Sequence, residues 1–202
     1  IHPLMSSDIT IEDINVRNPW YAQNGDGLDL ESCRNVTVCR AVFDVGDDAI
    51  CMKSGRDKEG RDRNMPTENV IVKDCRVYHG HGGFVVGSEM SGGVKGVYMT
   101  GIEIGDVKNA LLFKSNLDRG GYIEVVFIAS VSIGNVAGAV LRFETNYFGY
   151  RGGNMPARYS GLTIYNVSAE SWAAYAIYFD GNEAGPIRNI TVNNFIVDEA
   201  PR

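Results

Sequence analysis

Four short segments carry residue types able to do acid–base chemistry: Asn24-Gly25-Asp26, Gly46-Asp47-Asp48, Gly80-His81-Gly82 and Phe113-Lys114-Ser115. Together they supply three carboxylates, an imidazole and a fixed cation. Brought into one place, the carboxylates would repel one another, and at least one would hold its proton to higher pH. Such a split sets a general acid beside a general base, the pair that glycoside hydrolysis requires. Each Asp also has a Gly close by, where Asp commonly serves a turn. Turn duty explains any one of them well, but it explains three converging on a histidine much less well. A metal site is the competing use. Calcium takes several oxygen ligands, which three aspartates could partly supply, and His81 in the group argues mildly against it.

Whether these residues meet depends on the elements that carry them. A short motif recurs along the chain, a turn residue followed by an alternating apolar strand. It reads Asp8-Ile9-Thr10-Ile11, Asn35-Val36-Thr37-Val38, Asn69-Val70-Ile71-Val72, Gly96-Val97-Tyr98-Met99, Glu124-Val125-Val126-Phe127, Gly161-Leu162-Thr163-Ile164 and Asn189-Ile190-Thr191-Val192. The second residues stand at 9, 36, 70, 97, 125, 162 and 190, giving steps of 27, 34, 27, 28, 37 and 28. The two long steps contain insertions, one polar over residues 55–64 and one rich in Gly and aromatics over 147–159. A near-constant period with loop insertions is how a solenoid varies. The period is too short for a propeller blade, and no helical half accompanies the strands. Stacked β coils remain, about seven of them, in an all-β parallel β-helix.

A second apolar strand follows in each coil, including Gly27-Leu28-Asp29-Leu30, Ala49-Ile50-Cys51-Met52, Phe84-Val85-Val86 and Leu111-Leu112-Phe113. Equivalent residues of neighbouring coils lie about 4.8 Å apart in such a stack. Superposing these strands puts Asp26 and Asp48 in one column, Asp47 and His81 in another, and Lys114 in the column of Lys53, about five residues along. The candidate catalytic residues are therefore Asp26, Asp47, Asp48 and His81.

Composition narrows the partners. The net charge of −6 offers no basic footprint for nucleic acid. No apolar run approaches the ~20 residues that span a membrane. Gly is abundant at 24 of 202 residues, as many tight turns require. Cys33, Cys39, Cys51 and Cys75 lack zinc-ligand spacing and read as buried thiols, with a Cys33–Cys39 disulfide as the alternative. Asn35, Asn166 and Asn189 open glycosylation sequons, and Asn at a recurring bend is the stronger reading.

The four segments, in this order, resemble the signature series of glycoside hydrolase family 28, the polygalacturonases: Asn-x-Asp, Gly-Asp-Asp, Gly-His-Gly and Arg-x-Lys. The flanks Asp48-Ala49-Ile50-Cys51-Met52-Lys53-Ser54-Gly55 and Gly80-His81-Gly82-Gly83-Phe84-Val85-Val86-Gly87-Ser88-Glu89-Met90 are similar to the bacterial exo-acting branch. The resemblance implies a right-handed parallel β-helix and metal-independent, inverting hydrolysis of α-linked galacturonate. It makes Asp47 the general acid and Asp26 with Asp48 the activators of water. His81 would tune the acid, and Lys114 would grip a substrate carboxylate. Asn24, Glu89 and Arg119 fall in shared segments and are expected as further substrate contacts. The expected partner is an acidic plant polysaccharide, pectin or oligogalacturonate, met by a secreted or periplasmic monomer. Rhamnogalacturonan and xylogalacturonan hydrolysis are close variants. A β-helix lyase and a non-catalytic carbohydrate-binding β-helix are the competing classes.

The chain departs from the family pattern in two ways. Leu112 stands where the family has Arg, which removes one fork for a sugar acid unless Arg119 or Arg142 replaces it. Family members are also about twice this length. Residues 1–202 are therefore expected to form one β-helix domain truncated at the N-terminus and the C-terminus. Arg56, Lys58, Arg61 and Arg63 on the first insertion could flank a cleft for a polyanion, or simply be solvated. Tyr147, Phe148 and Tyr150 on the second could stack on a sugar.

Overall fold

A computed structural model describes residues 1–172 and 174–198. After each turn residue the chain enters a strand of the first face: β1 (Ser7–Glu12), β4 (Arg34–Cys39), β7 (Thr67–Lys73), β9 (Val94–Lys114), β10 (Tyr122–Glu144), β11 (Arg158–Trp172) and β13 (Ile187–Val197). These seven strands pair in that order, every pair parallel. A second face holds β2 (Asn15–Arg17), β5 (Val42–Asp44) and the first half of β8 (Arg76–Gly87). A third holds β3 (Leu28–Glu31), β6 (Ile50–Lys53), the second half of β8, the ends of β9 and β10, and β12 (Tyr175–Asp180). Strands joined by a crossover into the same parallel sheet wind right-handed, so the chain is a right-handed parallel β-helix, with seven rungs on its first face among the described residues.

Turn chemistry sets the rungs. The first bend needs a left-handed residue, and Asp8, Asn35, Asn69, Gly96, Gly161 and Asn189 all sit there with φ between 53° and 73°. Asn and Asp accept that conformation because a short polar side chain can bond locally. Here the side chains also bond along the stack, Asn35 to Asp8 at 2.9 Å and Asn69 to Asn35 at 3.3 Å. Asn166 takes a bend at the other end of the same face, at φ 52°. The sequon asparagines are thus bend residues. One register differs from the sequence alignment. Val97 pairs with Val126, not Val125, so Val125 takes the bend at φ 54°. A β-branched residue is costly there, and nothing in its side chain marks it as a turn.

Period-two alternation then fills the core. Leu30, Met52, Val86, Phe113, Phe143 and Phe179 form one inward column of the third face. The rings of Phe113 and Phe143 stack at 4.7 Å, and those of Phe143 and Phe179 at 4.9 Å, nearly coplanar in both cases. That spacing is the strand separation itself, so identical side chains at identical register stack without strain. The four cysteines are buried free thiols.

The first insertion is a helix rather than an irregular loop, α1 (Asp57–Arg63). Its seven residues are too few for apolar periodicity to reveal. Pairs at i,i+4, Lys58 with Asp62 and Glu59 with Arg63, brace it.

Phe143 is fully buried between two stacked rings. Phe143→Ala is expected to cost about 3–5 kcal/mol, to be measured by urea unfolding monitored by circular dichroism.

Candidate active site

The third face begins where the chain turns out of the second, and the chemistry sits at that corner. Leu28 pairs with Ile50 and Ile50 with Phe84. Counting back two residues stacks Asp26 on Asp48, as expected, and backbone bonds hold the rungs together. Gly27 N–H donates to the Asp48 carbonyl at 2.9 Å and His81 N–H to the Asp47 carbonyl at 2.9 Å. Gly87 pairs with Lys114 at the other end of the strand. Two glycines permit this closeness. A Cβ on Gly82 would lie 2.7 Å from Asp48 Oδ1, and one on Gly87, already at φ 99°, would lie 2.1 Å from the Lys114 carbonyl oxygen.

All eight residues singled out in the sequence line one cleft of about 860 Å³: Asn24, Asp26, Asp47, Asp48, His81, Glu89, Lys114 and Arg119. Asp48 is the most deeply buried of the three aspartates. Its Oδ2 accepts a hydrogen bond from Lys114 Nζ at 2.8 Å, and both side chains are at most 7% exposed. Its Oδ1 is buried without a hydrogen-bond partner. His81 Nδ1 stands 3.7 Å from that oxygen and 3.8 Å from Asp47 Oδ1, beyond direct hydrogen-bond reach.

The environments push the two adjacent carboxyls apart. Burial alone would raise Asp48, but neighbouring His81 and Lys114 outweigh it and hold Asp48 below the usual carboxylate range. Asp47 is pushed up, first by burial and then by the charges of Asp48 and Asp26. The N–H groups of Asn24 and Asp48 donate to Asp47 at 3.1 and 3.0 Å and pull the other way. Asn24 therefore acts on Asp47 through its backbone.

Two residues join the cleft that motif reading did not select. Lys53 Nζ lies 3.0 Å from Asp26 Oδ2 and 3.0 Å from Asp29 Oδ1. Asp29 is raised to about 6, mainly by burial, with Lys53 opposing and Asp26 adding to the rise. Its signal lay in the alternation of β3: Leu28 and Leu30 point inward, so Asp29 must point out.

Other expectations resolve individually. Arg119 lines the cleft but is 4% exposed and ion-paired with Asp57, with Glu89 at 3.7 Å. Arg56 also lines the cleft, whereas Arg61 caps the Asp118 and Arg119 carbonyls and Arg63 faces Glu31 and Glu59. Leu112 is buried with Cys51 and Val85 in a small apolar cluster apart from the main core. The next residue in its column, Arg142, bonds Glu144 at 3.0 Å and lies over the Tyr178 ring. Tyr147 and Phe148 line the cleft, the Tyr147 ring centre 5.1 Å from Lys114 Nζ. Tyr150 bonds the nearby Gly153 carbonyl.

Asp47, Asp48 and His81 bring donor atoms within 4.8 Å of one another, as do Asp26, Asp48 and Cys51. Lys114 and Lys53 already neutralise Asp48 and Asp26, so these carboxylates suit a divalent cation poorly. What the arrangement offers is two adjacent carboxyls of divergent proton affinity beside a third, Asp26, among lysine and arginine side chains.

Comparison with known proteins fits this geometry. The sequence profile of glycosyl hydrolases family 28 matches residues 2–202. The chain belongs to that family. A Vitis vinifera protein named "Probable polygalacturonase" is 25% identical over 208 residues, covering 100% of this chain and 42% of its own length. The exo-poly-alpha-D-galacturonosidase of Dickeya chrysanthemi is 26% identical, with 82% of this chain and 28% of its own covered. The crystal structure of a hyperthermoactive exopolygalacturonase from Thermotoga maritima superposes with a TM-score of 0.90 at 33% identity. That match covers 98% of this chain and 46% of the other. The chain spans less than half the length of each of these relatives.

Asp29 makes stability depend on pH. Its carboxyl titrates near 6 when folded and near 3.9 when unfolded. The folded state binds the extra proton between those values, so this group's contribution to stability falls as pH rises from about 4 to about 6. Asp29→Asn should raise stability by about 1–3 kcal/mol at pH 7 and leave it unchanged at pH 3.5, as read from urea midpoints at both pH values.

Proposed function

We propose that this cleft hydrolyses α-1,4-galacturonosyl linkages of pectin or polygalacturonate, working from chain ends. The reading rests chiefly on one observation: adjacent Asp47 and Asp48 have their proton affinities driven in opposite directions. A carboxyl that keeps its proton beside one that has lost it is the acid and base of glycoside hydrolysis. Asp47 donates to the leaving oxygen. Asp48 Oδ1, buried and without a partner, accepts from the attacking water. Asp26 and Asp48 offer atoms within 4.8 Å of each other. One water can bridge two such oxygens with bonds of about 2.8 Å.

Lys53, Arg56, Lys108, Lys114, Arg119 and Arg151 line the cleft of a chain whose net charge is −6. Five carboxylates line it too, and Lys53, Arg56, Lys114 and Arg119 are paired with aspartates, so Lys108 and Arg151, in no ion pair among the described residues, are the cations best placed to meet a polymer of sugar acids. The exo preference follows the names of the Dickeya and Thermotoga relatives. Action on a plant wall polymer places the work outside the cytoplasm, in secreted or periplasmic form.

Inversion is proposed for the stereochemistry, although Asp47 and Asp48 approach within 4.8 Å and inverting enzymes commonly separate the pair by about 6.5–9.5 Å. Inversion rests on the family resemblance and not on this spacing, with water as the attacking group.

The test is release of reducing ends from polygalacturonate. The parent chain should release them, and Asp47→Asn should be slower by about 100-fold or more, with the first-formed anomer inverted by proton NMR. Equal rates for parent and variant would sink the acid assignment.

A further inference from the structure

Lys53 is the least explained charge in the cleft. It closes β6, one rung above Glu31, yet its ammonium leans back to lie 3.0 Å from Asp26 and 3.0 Å from Asp29. All three side chains are under 20% exposed. Asp29 Oδ1 is buried and makes no aligned hydrogen bond, so the ammonium is its compensating contact. An ammonium has three donors, and two carboxylates compete for it here.

We propose that Lys53 is a positioning residue, clasped between Asp26 and Asp29, that aims the Asp26 carboxylate at the attacking water, and that Asp29 governs how much of Lys53's charge Asp26 receives. The clasp deepens the hydrolytic reading above and rests on it only in taking Asp26 as a base. With Asp29 protonated, Lys53 serves Asp26 alone. With Asp29 ionised, the cation is shared and Asp26 is held less firmly. The Asp29 carboxyl changes state near 6, so the clasp tightens in mildly acidic solution. Other charged or titratable groups face the trio. Asp47 and Asp48 come from the next rung, Cys51 from β6, Glu31 from β3 in register with Lys53, and Lys114 from two rungs along Lys53's own column, with Arg56 also lining the cleft. The Ile1 ammonium sits on the Gly27 carbonyl at 2.8 Å. None of these comes within ion-pair distance of Asp29 among the described residues.

The clasp can be tested without relying on turnover. Carbon-13 carboxyl NMR on the intact chain would follow Asp29 through a pH titration in the parent, Lys53→Met, Lys53→Arg and Asp26→Asn. Lys53→Met should raise the Asp29 midpoint by about one unit or more, and Asp26→Asn should lower it. Lys53→Arg should leave it within about half a unit, since the charge remains. On polygalacturonate, Lys53→Met should lower kcat about 100-fold with KM little changed, as for a misaimed catalytic group, and Lys53→Arg should recover most of the loss. An Asp29 midpoint indifferent to Lys53→Met, or a Lys53→Met enzyme with parental kcat, overturns the clasp. A parent that releases no reducing ends would count against the hydrolytic reading, while the titration would still decide the clasp.

Discussion

The site depends on one buried ion pair. Lys114 Nζ and Asp48 Oδ2 meet at 2.8 Å with almost no solvent. Burying two charges costs several kcal/mol each before their attraction is counted. The pair persists because the rungs fix both ends: Asp48 lies two residues before Ile50, Lys114 three residues after Leu111, and these strands are in register through Phe84. Burial alone would raise Asp48, and His81 together with Lys114 outweighs it, holding Asp48 below the usual carboxylate range. Its neighbour Asp47 then feels a fixed negative charge and is driven the other way. The ion pair, with His81 and burial, thus helps drive two adjacent carboxyls apart.

The solenoid makes this possible cheaply. Each rung repeats the same inward apolar pattern, so Phe113, Phe143 and Phe179 stack on successive rungs and the outward positions are free to vary. Function is written on one corner of the third face, where Gly82 and Gly87 let backbone and carboxylate approach closely. Arg56, the residue before α1, lines the cleft, and the helix is tied down by Arg61 and by the Asp57–Arg119 pair. The insertion therefore serves the cleft while leaving the stack undisturbed.

Much of this was legible in the sequence, because a parallel stack turns spacing into neighbourhood. The Asp26–Asp48 and Asp47–His81 columns follow from aligning apolar strands, and the register agrees. Where alignment failed, the residue type misled. Val125 occupies a bend that Asn, Asp or Gly fills on the other rungs. Asp29 and Lys53 were not selected as site residues because they lie inside strand motifs whose apolar residues dominate the pattern. Leu112 was visible as a departure, but its burial with Cys51 and Val85 depends on side-chain direction, which motif reading does not supply. The short helix α1 carries too little periodicity to be read as one.

The central claim is that neighbouring carboxyls have their proton affinities driven in opposite directions. Carbon-13 carboxyl NMR of the intact chain, with Asp47 and Asp48 assigned by substitution, measures it directly. The expected result is two separated titrations, Asp48 below the ordinary aspartate range and Asp47 above it. A single shared midpoint, or Asp48 holding its proton to higher pH than Asp47, would contradict the account.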